Sequence, residues 1–505
     1  MSLKKNIITS YISQAYVIIV GILVFPLYIS EMGAEAYGLV GFFSMLQVVF
    51  NLMDLGLSAT ISRETARNRA GVHSNILYLQ LYRALNILFI IIALSGGLIL
   101  FFLSRYIAVK WLNIENISFI DVTYAIQVMA LTIPFRWMTG LYRGVVIGNE
   151  KIVWLSVFNV LIATLRFLFV LPVMWLWGST PMVFFSYQFI VALLEYAGLF
   201  YKSNHLLPYL NKIQKSKIGW SIRPIKNHLK FALSIAMTSG IWVFVTQTDK
   251  IIMSKILTLE EYGYFTLSVL VASGILMISA PISKSILPRL SKLSAEKKEE
   301  EFFRVYRKAT QLVTIIAGSA SILIVVLAKP ILWVWTGDEK IVEICSPILQ
   351  LYAAGYGVLA VSAFPYYLQY AIGKLSLHII GSILYVSTLI PLLLYATQTY
   401  GMIGAGYAWL IVNLLYMMIW TGIVHNNYAK GIHLKWLSND ILKLIILPTL
   451  FTVAISQTIS IDDRLNLLIE LIIILCAVIT ITILPSNYMN DILEKLKASN
   501  VKIKR

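Results

Sequence analysis

The sequence predicts an all-α polytopic membrane protein with about fourteen transmembrane helices, arranged as two six-helix lobes and two additional C-terminal helices. Three observations predict this class: the composition, the spacing of the apolar segments and an internal repeat. Hydrophobic residues make up 59% of the 505 residues and charged residues only 13%, whereas soluble domains carry about 25% charged residues. The mean hydropathy of +0.79 agrees with this composition.

Apolar segments recur from residue 7 to residue 484, and roughly 20 mostly apolar residues suffice for a helix to cross a bilayer. The first six predicted spans lie near 7–29, 36–58, 77–103, 118–140, 152–175 and 180–201. Eight more lie near 229–248, 262–283, 309–328, 343–371, 375–395, 402–424, 441–460 and 465–484. The chain therefore divides into an N-terminal lobe (1–201), a basic cytoplasmic linker (202–228), a C-terminal lobe (229–424), and a region with two additional spans and a cytoplasmic tail (425–505).

The distribution of Lys and Arg predicts the orientation. With the N-terminus inside, cytoplasmic segments hold thirty-one of the 41 Lys and Arg, periplasmic segments hold seven, and three lie within spans. Cytoplasmic loops of membrane proteins are enriched in these residues. We therefore expect both termini in the cytoplasm and the chain in the bacterial inner membrane. The same distribution accounts for the net charge of +17 without a nucleic-acid partner.

An internal duplication relates the two lobes. Shifting the chain against itself by 225 residues aligns Glu35 with Glu260, Tyr37 with Tyr262, Gly38 with Gly263, Ser58 with Ser283, Ile61 with Ile286, Tyr142 with Tyr367, Ile147 with Ile372 and Gly148 with Gly373. Both copies begin with the same membrane polarity, so the lobes are predicted to be parallel repeats about an axis along the membrane normal. A binding site is expected where the lobes meet.

Polar side chains in the spans of the first lobe recur at steps of three and four, which places them on one face of each helix. They are Ser44, Gln47, Asn51, Asp54 and Ser58; Arg83 and Asn86; Thr132, Arg136 and Arg143; Ser156, Asn159 and Arg166; and Gln188 and Glu195. An ionisable group within a span costs roughly 2.5–3.5 kcal/mol and normally faces a cavity or a partner. The pattern predicts a water-filled cavity.

The charges in this predicted cavity favour an anionic ligand. Arg83, Arg136 and Arg166 are the candidates to bind a phosphate or pyrophosphate, because guanidinium groups form two parallel hydrogen bonds with such anions. Asp54 and Glu195 are the candidates for ion coupling, since a carboxylate between arginines can exchange partners. A competing interpretation is that Asp54–Arg83 and Glu195–Arg136 are neutral pairs that only lock the helices together.

The remaining candidates for lining the cavity are Gln47, Asn51 and Asn159 in the first lobe and Tyr366 and Tyr367 in the second. Tyrosines can stack on sugars, but they are equally common in the aromatic belts at membrane interfaces. The six histidines are scattered along the sequence, and we find no metal-ligand spacing or nucleophilic triad. No cofactor is expected.

Four segments resemble the Wzx-type O-antigen and polysaccharide flippases: Asn51–Leu57 (NLMDLGL), Thr248–Lys250 (TDK), Leu259–Tyr264 (LEEYGY) and Pro365–Lys374 (PYYLQYAIGK). The resemblance implies the MATE-like fold of the multidrug/oligosaccharidyl-lipid/polysaccharide exporter superfamily. It further implies a role in lipopolysaccharide biosynthesis, with an undecaprenyl-pyrophosphate-linked oligosaccharide such as an O-unit moved from the cytoplasmic to the periplasmic leaflet. Alternating access driven by an H⁺ or Na⁺ gradient would power transport, as in an antiporter. The implied partners are the lipid-linked glycan, membrane lipid and a glycan polymerase or other assembly machinery.

Three other functions stay open on the sequence. A lipid II flippase also has fourteen spans, and essentiality of the gene would point to that function. A multidrug exporter would carry cations, which a net-positive cavity disfavours. A membrane-embedded glycan polymerase or ligase needs a sizeable periplasmic loop for catalysis, whereas the two longest connections here, 202–228 and 284–308, are predicted to be cytoplasmic. An enzyme is therefore not expected.

Overall fold

The computed structural model describes residues 3–72, 74–209, 223–459 and 463–489. These residues are almost entirely helical; extended pairing within them is limited to a single bridge between Asn113 and Thr258. The chain forms two compact units, Met1–Gly263 and Tyr264–Arg505. Residues 210–222 of the predicted linker and residues 490–505 of the C-terminal tail lie outside the described residues.

The described residues of the first unit form nine α-helices and the start of a tenth. They are α1 (Leu3–Met32), α2 (Ala34–Phe50), α3 (Leu57–Arg69), α4 (Asn75–Tyr106), α5 (Phe119–Gly148), α6 (Ile152–Ala163), α7 (Val170–Trp177), α8 (Pro181–His205), α9 (Arg223–Ile256) and α10 (Leu259–Ala295). A 3₁₀ turn at Asn51–Asp54 extends α2, and π-helical turns extend α4 (Ile107–Trp111) and join α6 to α7 (Thr164–Leu168).

The second unit continues from α10. Its helices are α11 (Glu299–Val313), α12 (Ser319–Val326), α13 (Ala328–Thr336), α14 (Glu339–Ser362), α15 (Phe364–Ile372), α16 (Ser376–Leu415), α17 (Thr421–Tyr428), α18 (His433–Leu437), α19 (Lys443–Ser456) and α20 (Arg464–Ile483). Further π-helical turns occur at Thr314–Gly318, Tyr416–Trp420 and Ser438–Leu442.

Eleven helical segments among the described residues are long and apolar enough to cross a membrane. One of them, Ser376–Tyr428, contains 53 residues, and Gly401 interrupts it with φ 59° and ψ −142°, where the sequence predicts the boundary between two spans. The predicted spans 118–140 and 229–248 lie on α5 and α9, which are not among the eleven. The chain is a multi-pass all-α membrane protein, as predicted, whereas the count of fourteen and the repeat stay predictions.

Helix α5 lies at the centre of the first unit, where it packs against α3, α4 and α8. Glycines allow two of these close approaches. On α4, a Cβ at Gly97 would press against Pro134 of α5, and on α5, a Cβ at Gly144 would press against the backbone of Ser58. Small residues at helix crossings are the usual means of close packing in membranes. This packing fixes the face of α5 from which Arg136 and Arg143 extend.

The last two helices form part of the core of the second unit. Side chains of α20 pack with side chains from the end of α12; the buried set is Leu323, Leu327, Leu467, Leu471, Ile474 and Val478. The short helix α18 is joined to α11 by a buried hydrogen bond from Trp436 Nε1 to Thr310 Oγ1 (3.0 Å). Helices α18 and α20 are therefore structural parts of this unit.

Candidate functional site

A buried carboxylate joins two arginines inside the first unit. Glu195 on α8 is 4% exposed. Its Oε1 accepts a hydrogen bond from Arg143 Nη2 and its Oε2 accepts one from Arg166 Nη2, both at 2.5 Å. Arg143 also donates from Nη1 to Asn159 Oδ1 at 2.6 Å. Each carboxylate oxygen is thus occupied by a different guanidinium group, and helices α5, α6 and α8 are held together through this contact.

Arg136 is the third arginine of the cluster, and its partners are neutral. Its Nη1 donates to Gln47 Oε1 at 3.1 Å and its Nη2 donates to Gln188 Oε1 at 2.6 Å. The guanidinium carbon also lies 5.0 Å from the ring centroid of Phe43. Within the part of the chain that the structure describes, Arg136 forms no ion pair. The cluster therefore contains three guanidinium groups and one carboxylate, which pairs with two of them, and two positive charges are left in excess.

Two hydrogen-bond donors in this cluster point at no protein acceptor. The Nε atoms of Arg136 and Arg166 are buried, and neither has a hydrogen-bond partner among the described residues. Buried polar atoms in proteins are nearly always paired, so an unpaired donor requires an explanation, such as a water molecule or a ligand. Here the unpaired donors belong to the two arginines that line the same cavity.

A π-helical turn presents Arg166. The turn Thr164–Leu168 interrupts the helix formed by α6 and α7, and such turns are frequent at functional sites because they alter the direction of side chains. Side chains of α8 bind carbonyl groups of the turn: Tyr187 donates to the carbonyl of Leu165 at 2.9 Å, and Gln188 donates to that of Arg166 at 2.9 Å. Gln188 therefore connects the backbone of Arg166 to the side chain of Arg136.

Three small cavities meet at Arg166. The first, about 180 Å³, is lined by Gln47, Asn51, Ile133, Arg136, Trp137, Arg166 and Glu195. The second, about 220 Å³, is lined by Arg136, Arg166, Gln47, Gln188, Ser44, Val40 and the aromatic residues Phe25, Tyr28, Phe43, Phe167 and Phe184. The third, about 280 Å³, is lined by Ser13, Gln14, Val17, Ile18, Arg143, Asn159, Ile162, Ala163, Arg166, Phe167 and Glu195. Together they offer space beside every arginine of the cluster.

The structure brings together six of the residues that the sequence selects: Gln47, Asn51, Arg136, Asn159, Arg166 and Glu195. Their roles in transport are not tested by this placement and stay predictions. Arg143 completes the cluster although it was not chosen as a site residue. The signal for it was present, because Arg143 lies two helical turns after Arg136 and so on the same face of α5.

Two predicted pairings are wrong. Glu195 forms its ion pairs with Arg143 and Arg166 rather than with Arg136. Asp54 accepts hydrogen bonds from the backbone nitrogen (3.1 Å) and hydroxyl (2.7 Å) of Ser58, so it caps the start of α3 instead of pairing with Arg83. The side chain of Arg83 is exposed, and this residue lines none of the three cavities.

The two predicted tyrosines lie in the second unit, on α15. The ring centroid of Tyr366 is 5.5 Å from that of Tyr367 and 4.5 Å from that of His378. Stacked and edge-on rings of this kind stabilise helix packing. Among the described residues there is no group of three or more His, Cys, Asp or Glu that could hold a metal ion.

Comparison with known proteins identifies relatives of this chain. The sequence profile of the family described as "Polysaccharide biosynthesis protein" matches residues 3–294, a range that contains the whole arginine cluster. A curated relative, the "Putative O-antigen transporter" of Shigella flexneri, is 22% identical over 419 residues, which cover 81% of this chain and 95% of the relative.

Solved structures with a similar fold are also membrane transporters. The lipid II flippase MurJ in an inward closed conformation has a TM-score of 0.75 at 17% sequence identity, covering 96% of this chain and 100% of the other. An inward-facing MATE family multidrug transporter of the MOP superfamily has a TM-score of 0.65 at 14% identity, covering 83% of this chain and 96% of the other. These relatives are transporters or flippases rather than enzymes, and the structural likeness shows a shared fold.

Proposed function

The chain belongs to the polysaccharide biosynthesis protein family, and from that premise we propose that it moves an undecaprenyl-pyrophosphate-linked oligosaccharide across the inner membrane. The cargo is an O-unit or a similar surface glycan, transferred from the cytoplasmic to the periplasmic leaflet. The observation that carries the proposal is the excess of guanidinium charge around Glu195. The name of the Shigella flexneri relative, an O-antigen transporter, supports the same class of cargo.

The cluster suits a pyrophosphate in charge and in geometry. Two uncompensated positive charges favour a multiply charged anion, and the Arg136 and Arg166 Nε donors have no partner among the described residues. Hydrogen bonds to ionised groups are worth about 1.5–3 kcal/mol each, so an anion that reaches both arginines gains more than water would supply. The sugars and the polyprenyl chain are much larger than the cavities, so only the charged group is proposed to bind here.

Charge also separates the proposal from the multidrug alternative. A cationic drug would be repelled by a cluster of three arginines with one carboxylate, even in a fold like that of multidrug transporters. Lipid II remains a second candidate cargo, because it too carries a pyrophosphate, and the lipid II flippase MurJ aligns over 96% of this chain. The same fold and the same proposed anion site would serve either cargo, so the two candidates differ only in the glycan.

We propose ion coupling at Glu195, with Asp54 as the second candidate. A carboxylate held between two arginines can release one of them when an anion arrives, and it can take up a proton when its arginines turn to the cargo. Because asparagine also caps helices well, Asp54→Asn should keep the fold while removing the charge. Dependence of transport on an H⁺ or Na⁺ gradient should change in Glu195→Gln vesicles; unchanged dependence in both variants would remove these carboxylates from coupling.

The direct test is to delete the gene and identify the lipid-linked sugar that accumulates on the cytoplasmic leaflet. We expect an undecaprenyl-pyrophosphate-linked glycan, cleared when the wild-type gene is restored and retained when the restored gene carries Arg136→Gln. Accumulation of lipid II would instead support the second candidate. A deletion strain with no trapped glycan of either kind would contradict the proposal. We further expect the assembly machinery, including a glycan polymerase, to act on the product at the periplasmic face.

A further inference from the structure

A cavity of about 590 Å³ lies in the second unit and shares no lining residue with the three cavities of the arginine cluster. Its wall is formed by the turn from α10 to α11, the end of α15 and the turn from α17 to α18. These three connections follow the eighth, tenth and twelfth predicted spans, which the distribution of Lys and Arg places on the cytoplasmic side. The cavity is therefore predicted to open at the cytoplasmic face of the membrane.

Positive charge is in excess in the lining of this cavity. Lys297, Lys298 and Lys430 line it, together with the carboxylate of Glu299. Lys298 is paired with Glu296 at 2.9 Å, whereas the ammonium groups of Lys297 and Lys430 form no ion pair within the part of the chain that the structure describes. These two lysines come from different turns, so their charges add only because the fold brings both turns to one cavity.

Lys297 occupies a backbone position that favours glycine. Its φ is 57°, its backbone nitrogen donates to the carbonyl of Ser294 at 3.1 Å, and that of Lys298 donates to the carbonyl of Leu293 at 3.1 Å. These two hydrogen bonds form the Schellman motif that ends α10, in which the left-handed residue is usually glycine because a Cβ is strained there. The turn itself would be more stable with glycine, so a role for this lysine lies in its side chain.

Partly exposed apolar side chains line the same cavity, namely Phe303 of α11, Ile372 at the end of α15 and Ile432 before α18. A free inorganic anion gains nothing from them, whereas an amphiphile gains by covering apolar surface as well as by contacting the lysines. Basic pockets at the cytoplasmic ends of membrane helices bind the headgroups of anionic lipids. The volume also lies within the range of about 300–1,000 Å³ that is usual for ligand pockets.

We propose that this cavity binds an anionic phospholipid of the cytoplasmic leaflet, with the lipid phosphate beside Lys297 and Lys430. The glycerol and the start of the acyl chains lie on Phe303, Ile372 and Ile432. A zwitterionic lipid is disfavoured, because its own cationic group is repelled by the lysines. The bound lipid joins the turn from α10 to α11 to the turn from α17 to α18 and so stabilises the second unit. This inference rests on the predicted orientation and is independent of the cargo proposed for the arginine cluster.

The direct experiment uses a phosphatidylglycerol analogue with a photoreactive group near its glycerol, in phosphatidylcholine nanodiscs that contain the full chain. Illumination should label peptides of the two turns that wall the cavity. Unlabelled phosphatidylglycerol should compete with this labelling, whereas soluble glycerol phosphate should not. Equal competition by glycerol phosphate would replace the lipid with a free phosphate ester, contrary to the proposal. Labelling spread evenly over the cytoplasmic surface would show that no site exists.

Charge variants test the residues of the site. Lys297→Gly and Lys430→Ala should each weaken labelling roughly fivefold, the equivalent of about 1 kcal/mol for one lysine at an anionic surface. Glu299→Gln should strengthen labelling, because it removes a carboxylate from the lining. The matched control is Lys435→Ala, which removes an exposed lysine of α18 that does not line the cavity. An equal loss in Lys435→Ala, or no loss when Lys297→Gly and Lys430→Ala are combined, would overturn the proposal.

Thermal unfolding separates a binding role for Lys297 from a structural one. In detergent without lipid, Lys297→Gly should unfold at a slightly higher temperature than wild type, since glycine relieves the strained position. Added phosphatidylglycerol should raise the unfolding temperature of wild type more than that of Lys297→Gly, because a ligand of the folded state stabilises it. Glu150→Gly makes the same change at the end of α5, where φ is 56°, and should keep the full response to lipid. An undiminished response in Lys297→Gly would contradict the proposed site.

Discussion

The two compact units use buried charge in different ways. In the first unit, three arginines cluster around the one carboxylate of Glu195, which pairs with two of them, and small cavities adjoin them. In the second unit, Arg307 and Asp440 form a matched pair: Asp440 is fully buried, and its two oxygens accept hydrogen bonds from Arg307 Nε (2.6 Å) and Nη2 (3.0 Å). Gln311 adds a third hydrogen bond at 2.7 Å.

We interpret the buried pair of the second unit as holding the fold and the charges of the first-unit cluster as those proposed to bind a ligand. The pair in the second unit is balanced, both oxygens of Asp440 accept hydrogen bonds, and the pair joins α11 to the turn before α19. Gln311 extends the same contact by accepting a hydrogen bond from the backbone nitrogen of Asn487 at 2.9 Å. The cluster in the first unit is unbalanced and leaves two guanidinium nitrogens unpaired. We expect substitutions in the first-unit cluster to affect transport of the cargo and substitutions in the second-unit pair to affect the stability of the protein.

The largest expected effect is the loss of transport in Arg166→Ala. Arg166 lines all three cavities, and its removal also releases Glu195 from one of its two partners, so we expect export of the lipid-linked glycan to cease. Membrane levels of the protein should stay near normal. The matched control is Arg105→Ala, which removes an exposed arginine of the same unit and should leave export unchanged. Export at the wild-type rate in Arg166→Ala would remove this residue from the mechanism.

In the second unit, Asp440→Asn should destabilise the protein rather than alter its cargo. It leaves Arg307, whose side chain is 30% exposed, without its anion; breaking one side of a fully buried pair costs about 3–5 kcal/mol, so we expect a smaller loss here. Thermal unfolding in detergent should shift downward, and Arg307→Met combined with Asp440→Leu should recover much of the loss. A normal unfolding temperature for Asp440→Asn together with impaired anion binding would reverse the roles that we assign to the two units.

The charge difference between the two units can be reduced by placing a carboxylate beside Arg136. Gln188→Glu keeps the size of the side chain and its contact with Arg136 Nη2 and lowers the excess charge of the cluster by one, but it also loses the hydrogen bond that Gln188 donates to the carbonyl of Arg166. We expect affinity for undecaprenyl pyrophosphate to fall roughly tenfold, the equivalent of about 1.4 kcal/mol, while the fold is retained. Unchanged affinity in a stable Gln188→Glu protein would show that net charge is not what selects the cargo.

The smallest expected effect comes from Asp54→Ala. Asp54 caps α3 through Ser58 and lies outside the three cavities, so losing the cap should cost about 1 kcal/mol of stability. Asp54→Asn should restore that stability, since asparagine accepts the same hydrogen bonds. A much larger loss, or a change in anion affinity in either variant, would place Asp54 in the binding machinery after all.

Periodicity alone identified much of the cluster. Gln47 and Asn51 recur on one face of α2, and Asn159 and Arg166 on one face of the helix formed by α6 and α7, because helix geometry repeats every three to four residues. Periodicity could not predict which arginine of α5 pairs with Glu195. Arg136 and Arg143 lie on the same face of α5, and only the packing of α5 against α8 selects Arg143.

Other features depend on contacts that no sequence spacing encodes. The π-helical turn at Thr164–Leu168 leaves no compositional signal, yet it directs Arg166. Arg307 and Asp440 lie in two segments that the sequence places at cytoplasmic ends of spans, where charged residues are ordinarily solvated. They pair only because α11 and the turn after α18 pack together. The segment LEEYGY is recognisable in the sequence, but its spacing does not predict that Gly263 packs against the backbone of Ala34.

Equilibrium binding tests whether the excess guanidinium charge of the first unit binds a pyrophosphate. Purified wild-type protein in nanodiscs should bind undecaprenyl pyrophosphate in preference to undecaprenol. Arg136→Gln removes a charge-assisted contact worth about 1.5–3 kcal/mol and should weaken binding at least tenfold, whereas Arg105→Gln should not. Equal affinity of wild type and Arg136→Gln, with both proteins folded, would contradict the account.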